Sequence, residues 1–458
     1  MDAINSGRIG GVGMRISVGS LLVIMIVAAP ADASEPDAAE RGRQALTGKS
    51  HISPAWGLEA YENVGKLWGP GSPDPKLDPA GYADAFNRRY GLHPAPYPND
   101  GLPMGLRKAV GRRSGKPGLQ IDCMVCHGGS IGGQSYVGLG NSQLDLVDLL
   151  NDLTKADGKP ATPSLFTLNS SRGTVNAGQL SILLLSLRNP DLSRRFFPLN
   201  TGARLAELDV PPWWILAKKA TQYYDGRTDA RDARSNMQFM LGELSLEEFK
   251  GLEPTFRDIQ SYLKSITPPR YPFAVDVVKA SAGKQVFDKT CGSCHGTYGP
   301  GGEYPSRIVP IAEIKTDRAR LDGITDKFVA HYNATWFGGE YPVDLEKVGY
   351  QAPPLDGIWA SAPYLHNGSV PTVHSLLNSA ERPSRYKRPP STGFENYDPV
   401  NLGWKFEACG PVAPKAPAAE AQQVFDSKRW GLGNGGHTFG DRLSEDERMA
   451  VIEYLKTL

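Results

Sequence analysis

The chain has 458 residues, long for one hydrophobic core and enough for two or three domains. Its 50 basic and 49 acidic residues leave a formal net charge of +1, which gives no reason to expect a nucleic acid or an anionic membrane surface as partner. With 51 Gly and 37 Pro, it should consist of long ordered loops around few helices.

At the N-terminus, Arg8 and Arg15 precede an apolar run, Ile16 to Ala29, that is short for a bilayer span. Ala31-Asp32-Ala33 follows as an A-x-A cleavage site. Residues 1–33 therefore read as an export signal, with a retained N-terminal anchor as the alternative. No later run is long enough to span a membrane, so the mature protein is expected to be periplasmic or secreted and not an integral membrane protein. Tyr97 to Leu106 is rich in turn residues, and "CMVCH" follows at Cys123 to His127. Leu180 to Leu187 fits a buried core segment. Val210 to Lys219 carries adjacent Trp213 and Trp214, which could relay electrons or simply fill a core.

A long helix is then predicted from a capping box, Ser245 with Glu248. Pro254 should start or kink its second part, whose apolar stripe is Phe256, Ile259, Leu263 and Ile266. Pro268-Pro269 stops it, and residues 267–273 form a short, semi-rigid linker. Beyond the linker, Ala280, Val286 and Phe287 share the face of a helix that delivers Cys291 of a second motif, "CGSCH". Residues 410–421 read as an exposed insertion. Ser444 and Glu447 form another capping box, before Val451, Leu455 and Leu458 at helical spacing. "YLKSI" and "YLKTL" close the two halves alike.

Four of the five cysteines thus lie in two C-x-x-C-H motifs: Cys123, Cys126 and His127, then Cys291, Cys294 and His295. This is the signature of covalent c-type haem attachment. Two thiols add across the two vinyl groups of a haem, and the next histidine binds the iron. A thioredoxin-like pair needs no such histidine, a four-cysteine zinc site would make both histidines coincidental, and plain disulfides suit an exported chain. The motif occurring twice in an exported chain favours two covalently bound haem c groups. The expected fold is mainly α, with two cytochrome c-like haem domains carrying long loops and insertions: residues 34–266, then 274–458. Cys409 has no evident partner.

The far side of each iron decides between electron carrier and catalyst. For the second haem, His437 lies in a glycine-rich loop before the last helix, with His366 as runner-up and His374 more in keeping with a structural helix position. For the first haem, Met104 and His93 are possible and neither stands out. Arg318 and Arg320 could pair with haem carboxylates or form a solvated charge run.

These motifs, the proline–tryptophan segment and "PPLDGIWASAPYLHNGSVPTVHSLL" from Pro353 to Leu377 resemble the bacterial di-haem cytochrome c peroxidase superfamily, which includes the tryptophylquinone-maturing enzyme and the di-haem rubber oxygenases. The resemblance covers most of residues 280–458 and little of the first half. It implies an oxidoreductase whose first haem meets peroxide or dioxygen, whose second haem passes electrons to or from a small redox protein, and whose tryptophan, Trp213 or Trp214 by position, couples the two. The family's methionine or tyrosine ligand falls at Ala380, so the resemblance leans toward the rubber-oxygenase branch and toward His437. The alternative is a non-catalytic di-haem electron-transfer protein.

Overall fold

Two helix crossings frame the protein. In a computed structural model, which describes residues 10–11, 36–160, 170–346, 348–413 and 418–458, helix α1 (Ala38–Gly48) starts at Asp37, whose carboxylate accepts the Glu40 N–H. Helices α2 (Ala177–Ser186), α3 (Leu246–Ser265), α4 (Val277–Thr290) and α5 (Glu445–Leu455) complete the framework used below. The capping boxes of Ser245 with Glu248 and Ser444 with Glu447 are both formed, and each satisfies backbone donors at a helix start. Pro254 starts no new helix: α3 runs through it as one 20-residue element, and the proline costs the single N–H bond it cannot make.

Helix α1 packs on α3 and α4 on α5, each through a glycine. A Cβ at Gly42 would lie 2.0 Å from the Asp258 carbonyl oxygen, and one at Gly283 would lie 1.8 Å from that of Ala450. Only a residue without a side chain lets the backbones approach this closely. The two glycines open a shared pattern, Gly42-Arg43-Gln44 and Gly283-Lys284-Gln285.

Among the described residues the strands are short and antiparallel, in five pairs and one three-stranded sheet. Gly128–Ile131 pairs with Gln134–Val137, with Gly128 opposite Val137, and Ile308–Pro310 pairs with Gly349–Gln351, with Ile308 opposite Gln351. Residues 37–458 form one compact unit, and the cores mix the halves. Trp214, Ile131 and Leu139 pack with Phe287, Val451 and Leu455, whereas Trp213 and Phe256 pack with Tyr332 and Phe337. The predicted export signal lies outside the described residues, apart from Gly10 and Gly11. No helix among the described residues is long and apolar enough to cross a membrane.

Candidate haem sites

Each C-x-x-C-H forms one helical turn, Met124–His127 and Gly292–His295. In the first, the buried Arg107 guanidinium pairs with Asp122 at 2.5 Å, and Asp122 accepts the Met124 N–H at 2.8 Å, so an ion pair fixes the start of the turn. The chain then folds straight back as a hairpin. A Cβ at Gly128 would lie 2.4 Å from the Met124 carbonyl, and one at Gly129 would lie 2.5 Å from that of Gly140. The His127 carbonyl accepts from Gly138 and the Gly138 carbonyl from Trp213, both at 2.7 Å. This holds the Trp213 ring against the His127 ring, with centres 4.5 Å apart and planes 21° from parallel. Burial pushes the His127 pKa down to about 4, so its imidazole is neutral, the form that binds a metal.

Cys126 and His127 open onto a cavity of about 250 Å³ lined also by α2, Trp213, Gln238 and Tyr332. Among the described residues no second histidine and no methionine lines it. The second motif opens onto a cavity of about 260 Å³ that contains His295, His366 and His437. Asp209, Pro211, Pro212, Ile215 and Tyr224 line both cavities and so form a common wall.

In the second cavity His295 Nδ1 lies 2.8 Å from the Pro353 carbonyl oxygen, which can only accept. Nδ1 therefore carries the proton and Nε2 is left with a lone pair. The His295 and His437 ring centres are 6.2 Å apart, with planes at 62°. Two imidazoles sharing one metal need about 2 Å per bond, plus about 1 Å from each nitrogen to its ring centre, or roughly 6 Å in all. The pair fits a haem iron between them. His437 sits in the left-handed region, φ +46°, after Gly436 at φ +72°. Arg382 pins this strained turn by donating to the carbonyls of Asn434 at 2.8 Å, Gly436 at 2.6 Å and His437 at 3.0 Å. Burial drives the His437 pKa down to about 3 and keeps the ring neutral.

The remaining predicted residues fall into place around these cavities. His366 stacks on Tyr350 at 4.0 Å and lines the second cavity beside the shared wall. Met104 is fully buried against Gly128 behind the first motif and lines neither cavity. His93 is spent on Ser130 at 2.9 Å and Asn141 at 3.2 Å, one partner per ring nitrogen. His374 lies on the short helix Val373–Leu377, between Glu381 and Glu445. Trp214 packs in the other core, with Phe287 and Val451, and its Nε1–H donates to the Asp356 carbonyl at 2.8 Å. Arg318 is a surface residue paired with Asp322, whereas Arg320 is buried at the first cavity. All five cysteines are unpaired thiols, and among the described residues no three His, Cys, Asp or Glu side chains gather as a metal-ion site, so the four motif cysteines do not converge as one zinc would need.

Comparison with known proteins agrees in part. The family model described as "RoxA-like, cytochrome c-like" matches residues 349–387, under a tenth of the chain. The match covers the strand Gly349–Gln351, the Pro353 carbonyl, His366 and Arg382, which is much of the scaffold of the second cavity. A cytochrome c-like domain implies haem c. Two uncharacterized proteins of Sinorhizobium fredii are each 29% identical to the chain. They are y4iJ, matched over 46% of this chain and 44% of its own length, and y4iM, matched over 43% and 53%. The chain thus spans about half the length of these curated relatives.

Proposed function

We propose that the protein is an exported di-haem c-type cytochrome of the RoxA-like kind within the cytochrome c peroxidase superfamily. It acts as an oxidoreductase that meets a small oxidant at the first haem and passes electrons through the second. One observation carries this reading: the two motifs open onto adjoining cavities that differ on the side facing the motif histidine. The second offers His437 at the ring spacing of a shared iron, and among the described residues the first offers no second histidine or methionine. A haem iron held from one side presents a face at which peroxide or dioxygen can be reduced, whereas an iron held from both sides only exchanges electrons.

The chain's own residues supply anchoring, orientation and a path. Cys123 and Cys126, with Cys291 and Cys294, are the attachment thiols, and His127 and His295 the proximal ligands. The repeated glycine-mediated crossing, α1 on α3 and α4 on α5, supports reading the halves as two cytochrome-like units. Trp213 lies on the His127 ring, and its neighbour Trp214 is hydrogen-bonded to Asp356, three residues from the Pro353 carbonyl that holds His295. A route of side chains, one peptide unit between the tryptophans, three from Asp356 back to Pro353 and two hydrogen bonds therefore joins the proximal histidines. A small redox protein is the expected electron partner.

The test is the EPR and visible spectrum of the oxidised holoprotein before and after peroxide, with and without one-electron reduction. One high-spin and one low-spin haem, the former responding to peroxide, is the expected result. Two low-spin haems indifferent to peroxide would leave a plain electron carrier.

A further inference from the structure

The first cavity holds more buried positive charge than the protein itself uses. Arg227 is 5% exposed, and its Nε and Nη1 have no hydrogen-bond partner. Arg320 is 7% exposed. Its Nε is likewise unpartnered, and its Nη2 stands 3.4 Å from Asp225 Oδ2, an ion-pair distance without hydrogen-bond alignment. Lys219 donates to the Tyr223 carbonyl at 3.1 Å. All three cations line the cavity with Asp225 and Asp209, and burial pushes the Asp209 carboxyl well above the usual carboxylate range. Three cations thus face two carboxyl groups, one of them disfavoured as an anion.

A buried donor without a partner costs about 1–3 kcal/mol, and more when it is charged. Two arginines left so in one cavity point to an anionic partner that supplies the missing acceptors. The second cavity shows the contrast: its arginine, Arg307, is 37% exposed at the side chain and already bonded to both oxygens of Glu313.

We propose that Arg227 and Arg320 form a carboxylate clamp whose ligand is the propionate pair of the haem anchored at Cys123 and Cys126. This rests on the reading that the first cavity holds a haem. A guanidinium fork matches a carboxylate in shape and charge, and two guanidinium groups with open donors match two propionates. The clamp draws on both halves of the chain. Arg227 precedes residues 267–273 and Arg320 follows the second motif, so the carboxylates of the first haem tie the C-terminal half onto the N-terminal one.

The test compares the wild-type holoprotein with Arg227→Gln, Arg320→Gln and the milder Arg320→Lys. It reads the propionate bending mode in the resonance Raman spectrum of the first haem and the midpoint potential of each haem. Each Gln variant is expected to shift the propionate mode of the first haem and lower its midpoint, because a lost cation disfavours the reduced iron. The second haem should hold its potential. Arg320→Lys should keep the midpoint near wild type while still shifting the mode, since it keeps the charge and loses the fork. An acetate titration of the wild type separates the other source of the same chemistry. Saturable binding seen in the first haem's absorption band, lost in Arg227→Gln with the propionate mode unmoved, would mean a clamp for a free carboxylate and overturn the assignment. Unmoved modes with no acetate binding overturn the clamp altogether. Haem content per chain, wild type against Cys123→Ser with Cys126→Ser, separates this failure from that of the underlying reading: two haems falling to one confirms the anchor whatever the clamp does.

Discussion

Arg382 should govern whether His437 stays on the iron of the second haem. Its guanidinium donates to five carbonyls: Ser375 and Leu376 on one side, and Asn434, Gly436 and His437 on the other. The three bonds to the His437 turn oppose a backbone that wants to relax, since a non-glycine residue at positive φ costs of order 1–3 kcal/mol. A hydrogen bond from a charged donor is worth about 1.5–3 kcal/mol. Arg382 is only half-buried, so water would replace part of this, and about 1 kcal/mol for each of the three bonds is a fair discount. Arg382→Gln should therefore loosen the turn by about 3 kcal/mol, roughly a hundredfold in the balance between ligated and detached His437. The assay is the EPR and visible spectrum of the oxidised second haem between low and ambient temperature. A high-spin fraction absent from wild type and growing on warming is expected, with Arg382→Lys intermediate. A variant that melts earlier yet keeps a fully low-spin second haem at every temperature would show that Arg382 supports the fold but not the ligand.

His437→Ala should convert the second haem to high spin outright, whereas His366→Ala should leave its spin state unchanged; the reverse pattern in the same spectra would move the ligand to His366. Trp214→Phe keeps an aromatic ring and deletes the bond to the Asp356 carbonyl, so stopped-flow reduction should show slower electron transfer between the haems with both absorption spectra intact. Gly283→Ala places a Cβ 1.8 Å from the Ala450 carbonyl and must push α4 off α5, a loss of about 1–3 kcal/mol readable as a lower Tm. Asp232 is fully buried, and desolvation raises its pKa from 3.8 to about 6, so the fold favours its neutral form. That contribution is complete below about pH 4 and falls away as pH rises to 6, by at most about 3 kcal/mol. Denaturant titrations of Asp232→Asn and wild type should accordingly diverge in the variant's favour between pH 4 and 6 and run parallel above; curves parallel throughout would refute the shift.

What could be read from the sequence was local chemistry. Ser245 and Ser444 announce their helices because a capping box lies within four residues, and Cys291 sits where α4 delivers it because the apolar spacing ahead of it is helical. Contacts between distant segments carry no such signature. Met104 and His93 stand close enough to the first motif to suggest ligands, yet one fills the space behind Gly128 and the other is held by Ser130 and Asn141. Arg318 and Arg320 look alike in "KTDRAR", and only the packing of the second half against the first turns Arg320 inward. Arg227 and Arg382 carry no motif that would mark them. The crossings do leave a trace, Gly-Arg-Gln in one half and Gly-Lys-Gln in the other, too short to stand out without the contacts that Gly42 and Gly283 make.

The two crossings differ in one respect. Helix α4 runs straight into its cysteine, so the second motif moves only if the helix moves. Between α1 and Cys123 lie residues 49–122, which carry much of a separate core, Trp56, Tyr82, Phe86 and Leu106 among it, and bring the first motif to its place by way of Arg107 and Asp122. Residues 49–122 line neither cavity, so this segment can be remodelled, by insertion or substitution, with the helical frame and both cavity linings left intact. Variation among relatives should accumulate there, while the second half stays fixed around His295 and His437.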